Sequence, residues 1–362
     1  MVFGVPSPHH RRHPRPGLPG RGSHGHPKNE VRGSTMFTGK AWRAVALGVP
    51  EKVLELRRHT FETPPAGRLL VKVRASGVGL PDMLMMEGSY PGMSALPAPG
   101  QEVAGEVVAA PSGSAYAVGD RVMGLTPFLE GIGGCAEYTY VREEKTWRIP
   151  STFSDEQAAG FIIAFRTAYA SLVQRISLAE GQTLLVLGAS GSSGSAVIQL
   201  GKALGATVIA VAGSQEQRDF CARIGADHTV DHKTEDVAAR ARELTSGAGV
   251  DVLFDVVGGE PGTKALRALA RDGQVAIVGY AAGSWLTIDT MDMVRRNYSA
   301  VGVFAGGFTP QEDAEAYGRL CELAEQKVIA TPVGSVRDFD DVPAVIADLR
   351  SPRYGKTIVR VS

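Results

Sequence analysis

The stretch TLLVLGASGSSGSAVIQLGKALG, residues 183–205, decides the fold. Leu184 to Leu187 is a short apolar run that reads as a buried strand. Gly188, Gly191 and Gly194 follow at three-residue spacing. A helical pattern then begins, with Val197, Ile198, Leu200 and Leu204 on its apolar face. Strand, glycine turn and helix in that order aim backbone N–H groups and a helix N-terminus at a pyrophosphate. Glycine permits the tight turn, the approach of phosphate to the backbone and the close packing of helix on strand.

The surrounding chain repeats this alternation. VIAVAG (208–213), HTVDH (228–232), VDVLFDVVGG (250–259) and GQVAIVGY (273–280) read as strands. QEQRDFCARIG, EDVAARARELT and KALRALAR read as the helices between them. Such spacing predicts a doubly wound parallel sheet with right-handed crossovers. Upstream, SDEQAAGFIIAFRTAYASLV opens with a capping box, Ser154 and Gln157, and reads as one long buried helix. From Ala41 to about Arg148 the runs are short, strand-like and broken by Gly and Pro, which predicts a β-rich domain. After Tyr298 come a strand at SAVGVFAGG, a helix from Pro310 to about Gln326 and a last strand, KTIVRV.

Composition bounds the function. The 362 residues suit two domains, and Lys plus Arg equal Asp plus Glu at 38 each. That balance gives no pull toward nucleic acid. No apolar stretch is long enough to span a bilayer. Three scattered cysteines, Cys135, Cys221 and Cys321, fit a reducing, cytoplasmic setting. Residues 1–35 carry six Lys/Arg against the single acid Glu30, five histidines and many Pro and Gly, and are read as a disordered basic tail. Met36 directly precedes the first folded-type sequence and marks an alternative start.

The end of the second strand governs cofactor choice. Asp or Glu there would hold a ribose 2′-hydroxyl. The chain instead has Gly213, Ser214 and, a helical turn on, Arg218, a set suited to a 2′-phosphate. Glu216 is the one nearby acid. The expected cofactor is therefore NADPH. Outside the tail only His59, His228 and His232 are available, with no ligand-like spacing to a cysteine, so no metal is expected.

Several motifs resemble the zinc-independent quinone oxidoreductases of the medium-chain dehydrogenase/reductase superfamily. They are SGVGLPDMLMMEGSYP (76–91), PGQEVAGEV (99–107), GDRVMGL (119–125), GCAEYTYV (134–141), the glycine turn, and GSQEQRDFCARIGADHTVDH (213–232). The resemblance implies an α/β protein: a GroES-like catalytic domain from residues 36–155 and 300–362, and a Rossmann domain from residues 156–299. It implies that Thr167, Gly188, Ser190, Gly191, Ser192, Ser193 and Gly194 line the cofactor. It further implies Gly213, Ser214, Arg218 and His232 at the 2′-phosphate, and Val257, Gly279, Tyr280, Phe304 and Lys356 toward the nicotinamide. Gln101 stands where zinc-dependent relatives have His. Gly79 stands where many relatives have Asn. Tyr90 matches a pocket tyrosine and is the catalytic candidate, with Met83, Met86 and Phe128 as apolar lining.

The implied reaction is hydride transfer to a quinone or an α,β-unsaturated carbonyl, whose charge spreads onto a distant oxygen. A simple alcohol–ketone exchange would need a stronger electrophile. The alternatives are an enoyl-thioester reductase, with Arg295 and Arg296 as phosphate contacts, and a non-catalytic NADPH-binding redox sensor. Relatives commonly form homodimers through the edge of the parallel sheet.

Overall fold

A computed structural model describes residues 36–362. The expected basic tail, residues 1–35, lies outside the described residues. Two sheets organise the rest. Six strands pair in parallel in the order His228–Asp231, Thr207–Ala212, Thr183–Val186, Val250–Asp255, Leu269–Ile277, Ser299–Gly302. The order reverses between Thr183–Val186 and Val250–Asp255, and ligands of such sheets bind outside the strand ends at that switch. The alternation read in the sequence is thus the doubly wound sheet.

The strands are near-continuous Val, Ile, Leu and Ala because both faces are covered. Phe165, Val197 and Ile198 bury one face, and Val230, Leu266 and Val275 lie in the cluster on the other.

The second sheet has seven strands, six of them in the order Val333–Asp338, Lys356–Arg360, Arg68–Val78, Glu102–Ala109, Arg121–Leu125, Thr146–Arg148, with Tyr138–Arg142 also on Arg68–Val78. A hairpin-like pair, Phe37–Ala44 with Leu54–Phe61, stands beside it. The chain's last strand therefore returns to the first lobe, Thr357 opposite Val78. Among the described residues no helix is long and apolar enough to cross a membrane.

Three expectations need correction. The helix read through 154–173 is broken. Its capping box forms, but Asp155–Ala158 stops and Ile162–Tyr169 begins anew, ending in a wide turn at Ala170–Arg175. The break is tertiary. A Cβ on Gly160 would stand 2.7 Å from Lys356 Cγ, and one on Gly77 would stand 2.1 Å from the Ala159 carbonyl. Next, the helix read as KALRALAR runs instead over Gly259–Ala265, and its strand starts at Leu269. Gly258, at φ +68°, turns the chain early, with its N–H and that of Val257 held by Asp255. Finally, Ser299–Gly302 joins the six-stranded sheet, so the chain leaves that sheet after Gly302 rather than at residue 300.

Helix Pro310–Glu325 clamps the assembly. Thr309 and Glu312 form its capping box, and Tyr317 donates its hydroxyl to the Ile162 carbonyl. Asp313, 2% exposed, pairs with Arg166 Nε at 2.6 Å and with Lys145 from the first-lobe sheet. The Arg166 guanidinium also lies 4.3 Å under the Phe308 ring. Removing the carboxylate would leave two cations with one wall of protein each and little water. Asp313→Ala should lower the unfolding free energy by about 3–5 kcal/mol, read as a lower urea midpoint. A loss below about 1 kcal/mol would mean the cations are hydrated instead.

Candidate functional site

The three glycines of the turn do different work. Gly188 takes φ +63°, and a Cβ there would come 2.9 Å from Val256 Cγ2. Gly194 packs on the turn itself: its Cβ would lie 2.3 Å from the Gly188 carbonyl and 2.7 Å from Ala189 Cα. Gly191, at φ −74°, meets only the Gly188 carbonyl, at 3.3 Å. A side chain at Gly191 would project into open space beside the start of helix Ser192–Ala203. That helix starts at Gly191 without a side-chain cap. Backbone N–H groups and the helix dipole are therefore presented to an anion at the sheet's switch point. Ser192 and Ser193 flank the opening. Ser190 faces the C-terminal segment, its carbonyl accepting from Gly355 N and its hydroxyl donating to Arg353 O.

The second strand tip is more populated than expected. Ser214 caps helix Gln215–Arg223 by accepting from Gln217 N. Arg218 pairs at 2.7 Å with Asp231, which lies beside Ala212 at that tip, so its charge is already met by a carboxylate. Glu216 is exposed. The groups over the tip are His232 and Lys233: a Cβ on Gly213 would lie 2.6 Å from His232 Nε2 and 3.1 Å from Lys233 Cε. Lys233 escaped the sequence reading because only the pairing of His228–Asp231 with Thr207–Ala212 brings it there.

Across the switch point the lobes meet in a polar cleft. Tyr90 stands edge-on to Phe128, ring centroids 6.2 Å apart. Burial, then the nearby Asp82 charge and Tyr280, raise the Tyr90 phenol above its ordinary value, against a smaller pull from Gln101. Gln101 lies beside the phenol, and its buried Nε2 has no other partner among the described residues. Asp82 accepts from Gly79 N at 2.8 Å and Gly100 N at 2.7 Å, clipping the two loops that carry Gly79 and Gln101. Burial lifts the Asp82 carboxyl from 3.8 to about 6, although both N–H groups and Lys356 oppose the shift.

Lys356 Nζ sits 2.5 Å from Glu102 Oε1, and Glu102 Oε2 accepts from Ile163 N. A Cβ on Gly79 would lie 4.0 Å from that Nζ, with room around it. Asp82 was legible as the third residue of a helix start. Glu102 had only a weaker signal, a lone acid heading a run of small and apolar residues.

Other expected residues are placed less centrally. Thr167 gives its hydroxyl to the Ile163 carbonyl. Val257 and Gly279 shape the turns after their strands, and Tyr280 packs on Trp285 at 4.7 Å. Phe304 is 75% exposed, its ring over Gly306 and Gly307. Met86 is fully buried in a core with Ala44, Leu54 and Val342, so it fills the fold rather than lining the cleft. Arg296 donates to the Leu266 and Leu269 carbonyls and pairs with Asp292, which leaves no twin-arginine phosphate patch with Arg295.

Two family models match the chain: an alcohol dehydrogenase GroES-like domain over residues 65–151 and a zinc-binding dehydrogenase domain over residues 194–322. The chain is 34% identical to quinone oxidoreductase-like protein 2 homolog of Nematostella vectensis, covering 75% of each chain. It is 30% identical to quinone oxidoreductase of Rattus norvegicus, covering 88% of this chain and 97% of the relative. A mycobacterial protein solved in complex with NADPH superposes with a TM-score of 0.81 at 26% identity, over 89% of this chain and all of the other.

The second description implies zinc, and the donors here do not fit it. Among the described residues no three His, Cys, Asp or Glu side chains gather as a metal group. Asp82 is held by two N–H groups, and burial pushes the Cys135 thiol far up, away from the thiolate a metal needs. A nicotinamide dinucleotide does fit, because the Gly191 opening would be filled by a Cβ and faces an uncapped helix start.

Gly191 and Gly194 make separable predictions. Gly191→Ala should fold with a melting temperature near the parent's and bind NADPH at least tenfold more weakly. Gly194→Ala should instead lose stability by about 2 kcal/mol or more, as overpacking does. Equal destabilisation in thermal melts would refute this division.

Proposed function

We propose that this chain, which belongs to the quinone oxidoreductase branch of the medium-chain dehydrogenase/reductase family, reduces a quinone or α,β-unsaturated carbonyl with NADPH and without a metal. The Gly191 cradle carries the reading. It is an anion site at the sheet's switch point, built where a cofactor's pyrophosphate would lie beside the Tyr90 cleft. NADPH, when bound, supplies the hydride.

The chain's own residues orient the acceptor and meet the charge that develops on it. The Tyr90 phenol, raised by burial, keeps its proton across the working pH range and serves as a hydrogen-bond donor. Gln101 Nε2 is a second donor, already desolvated, with no partner among the described residues besides the neighbouring phenol. Two neutral donors can polarise an oxygen that shares its charge over a conjugated system. Lys356 adds a cation near Gly79, but Glu102 holds it at 2.5 Å and screens its charge. Ser299–Gly302 is one of the two edge strands of the parallel sheet, with Met291 and Val294 exposed on the preceding helix, and we place a second copy of the chain there.

At the adenine end, His232 and Lys233 over Gly213 take the part first assigned to Arg218. Titration of the purified protein should show NADPH binding at least tenfold tighter than NADH. Lys233→Ala should narrow that ratio, and NADH binding as tight as NADPH would overturn the assignment. At the other end, Tyr90→Phe should lower kcat for a naphthoquinone about 100-fold while NADPH binding is unchanged. Unaltered turnover would reduce Tyr90 to an aromatic wall.

A further inference from the structure

A cavity of about 510 Å³ lies on the first lobe, apart from the polar groups of the cleft. Its walls carry Arg43, Arg57, Arg58 and His59 from the strand pair, Leu96 from the loop after Tyr90, and Glu130 from the turn after Phe128. The wall thus carries three arginines against one acid, with Arg43, Arg57 and His59 on one face of the strand pair and Arg58, next to Arg57 along the strand, on the other. That carboxylate is itself held by Arg68 at 2.5 Å and Arg142 at 3.6 Å. Arg57 is balanced by Glu55.

Arg43 and Arg58 have no carboxylate partner among the described residues. Arg43 is half-buried. Its Nη2 donates to the Gly131 carbonyl at 3.0 Å, and its Nη1 stops 3.5 Å from His59 Nδ1. Burial, then the Arg43 charge, holds His59 below its ordinary value, which marks the local field as positive.

A partly desolvated guanidinium without an anion is unusual, because burial costs a charge its hydration. Arginine forks suit phosphate oxygens, and the cavity is large enough for more than a bare phosphate. The cavity also shares its framing loops with the cleft. Tyr90 and Leu96 lie on one loop, Phe128 and Gly131 on one turn, and Ser94 bonds across to the Leu129 carbonyl. We propose that the Arg43–Arg57–Arg58 cavity is a phosphate-binding subsite, taking either the terminal phosphate of a carrier-linked substrate or that of a separate ligand. The first source rests on the hydride-transfer reading; binding itself does not.

The test begins with calorimetric titration of the NADPH-saturated full chain with inorganic pyrophosphate. Binding should weaken at least tenfold in Arg43→Gln and severalfold in Arg58→Gln. The second variant keeps the test valid if the first misfolds, because Arg58 is exposed. KM for crotonyl-CoA and for a neutral naphthoquinone then separates the sources. A rise confined to crotonyl-CoA in both variants identifies a substrate handle. Unchanged KM values with lost pyrophosphate binding identify a separate ligand. No pyrophosphate binding by the parent, or binding that both variants leave unchanged, overturns the subsite. Failure of every tested quinone and enone to be reduced by NADPH would remove the proposed function and leave the titration standing.

Discussion

Glu102 is the residue on which the junction of the two lobes depends. It is wholly buried, and a buried carboxylate is tolerated only when its oxygens are met. One oxygen meets Lys356 on the chain's last strand, and the other meets the N–H of Ile163 at the head of a second-lobe helix. A single side chain thus ties three distant segments. Gly77 and Gly160 make room for the Lys356 stem, whose Cε and Cγ would lie 2.9 and 2.7 Å from any Cβ they carried. Just before that strand, Gly355 N reaches the Ser190 carbonyl, so the glycine turn is tied to the first lobe by the segment that supplies Lys356.

This coupling explains what sequence alone could and could not reveal. The parallel sheet was legible because its signal is local: an apolar run, a glycine turn and a helical period within about twenty residues. The same locality exposed the capping box at Ser154, whereas the one at Thr309 emerged only with the structure. The interruption between Ala158 and Ile162 was not legible, since no breaker but Gly160 stands there and Gly160 packs on Lys356, nearly two hundred residues away.

Arg218 was misplaced for a related reason. Its spacing from Ser214 suits a phosphate ligand, but strand His228–Asp231 delivers Asp231 against it and Lys233 over Gly213. Residue types at a strand tip narrow the chemistry, while the neighbouring strand decides which cation is free. The Tyr90 cleft lay between these extremes. Tyr90 itself could be found by resemblance, but its setting of Gln101, Asp82 and Tyr280 needs both lobes in place.

The site's charges fall into two regimes, and the division has a functional consequence. Lys356 and Glu102 are buried together, so salt scarcely reaches them, and their mutual pairing leaves little net field on the cleft. Under the proposed function, an acceptor there would meet fixed neutral donors, whose strength comes from desolvation rather than from charge. Lys233 is exposed, close to Gly213 at the second strand tip. Charges in that position act within a Debye length of about 8 Å at physiological salt. Under the proposed function, discrimination between cofactors would fall to the exposed, salt-screened end and polarisation of the acceptor to the buried end, where ionic strength has little purchase.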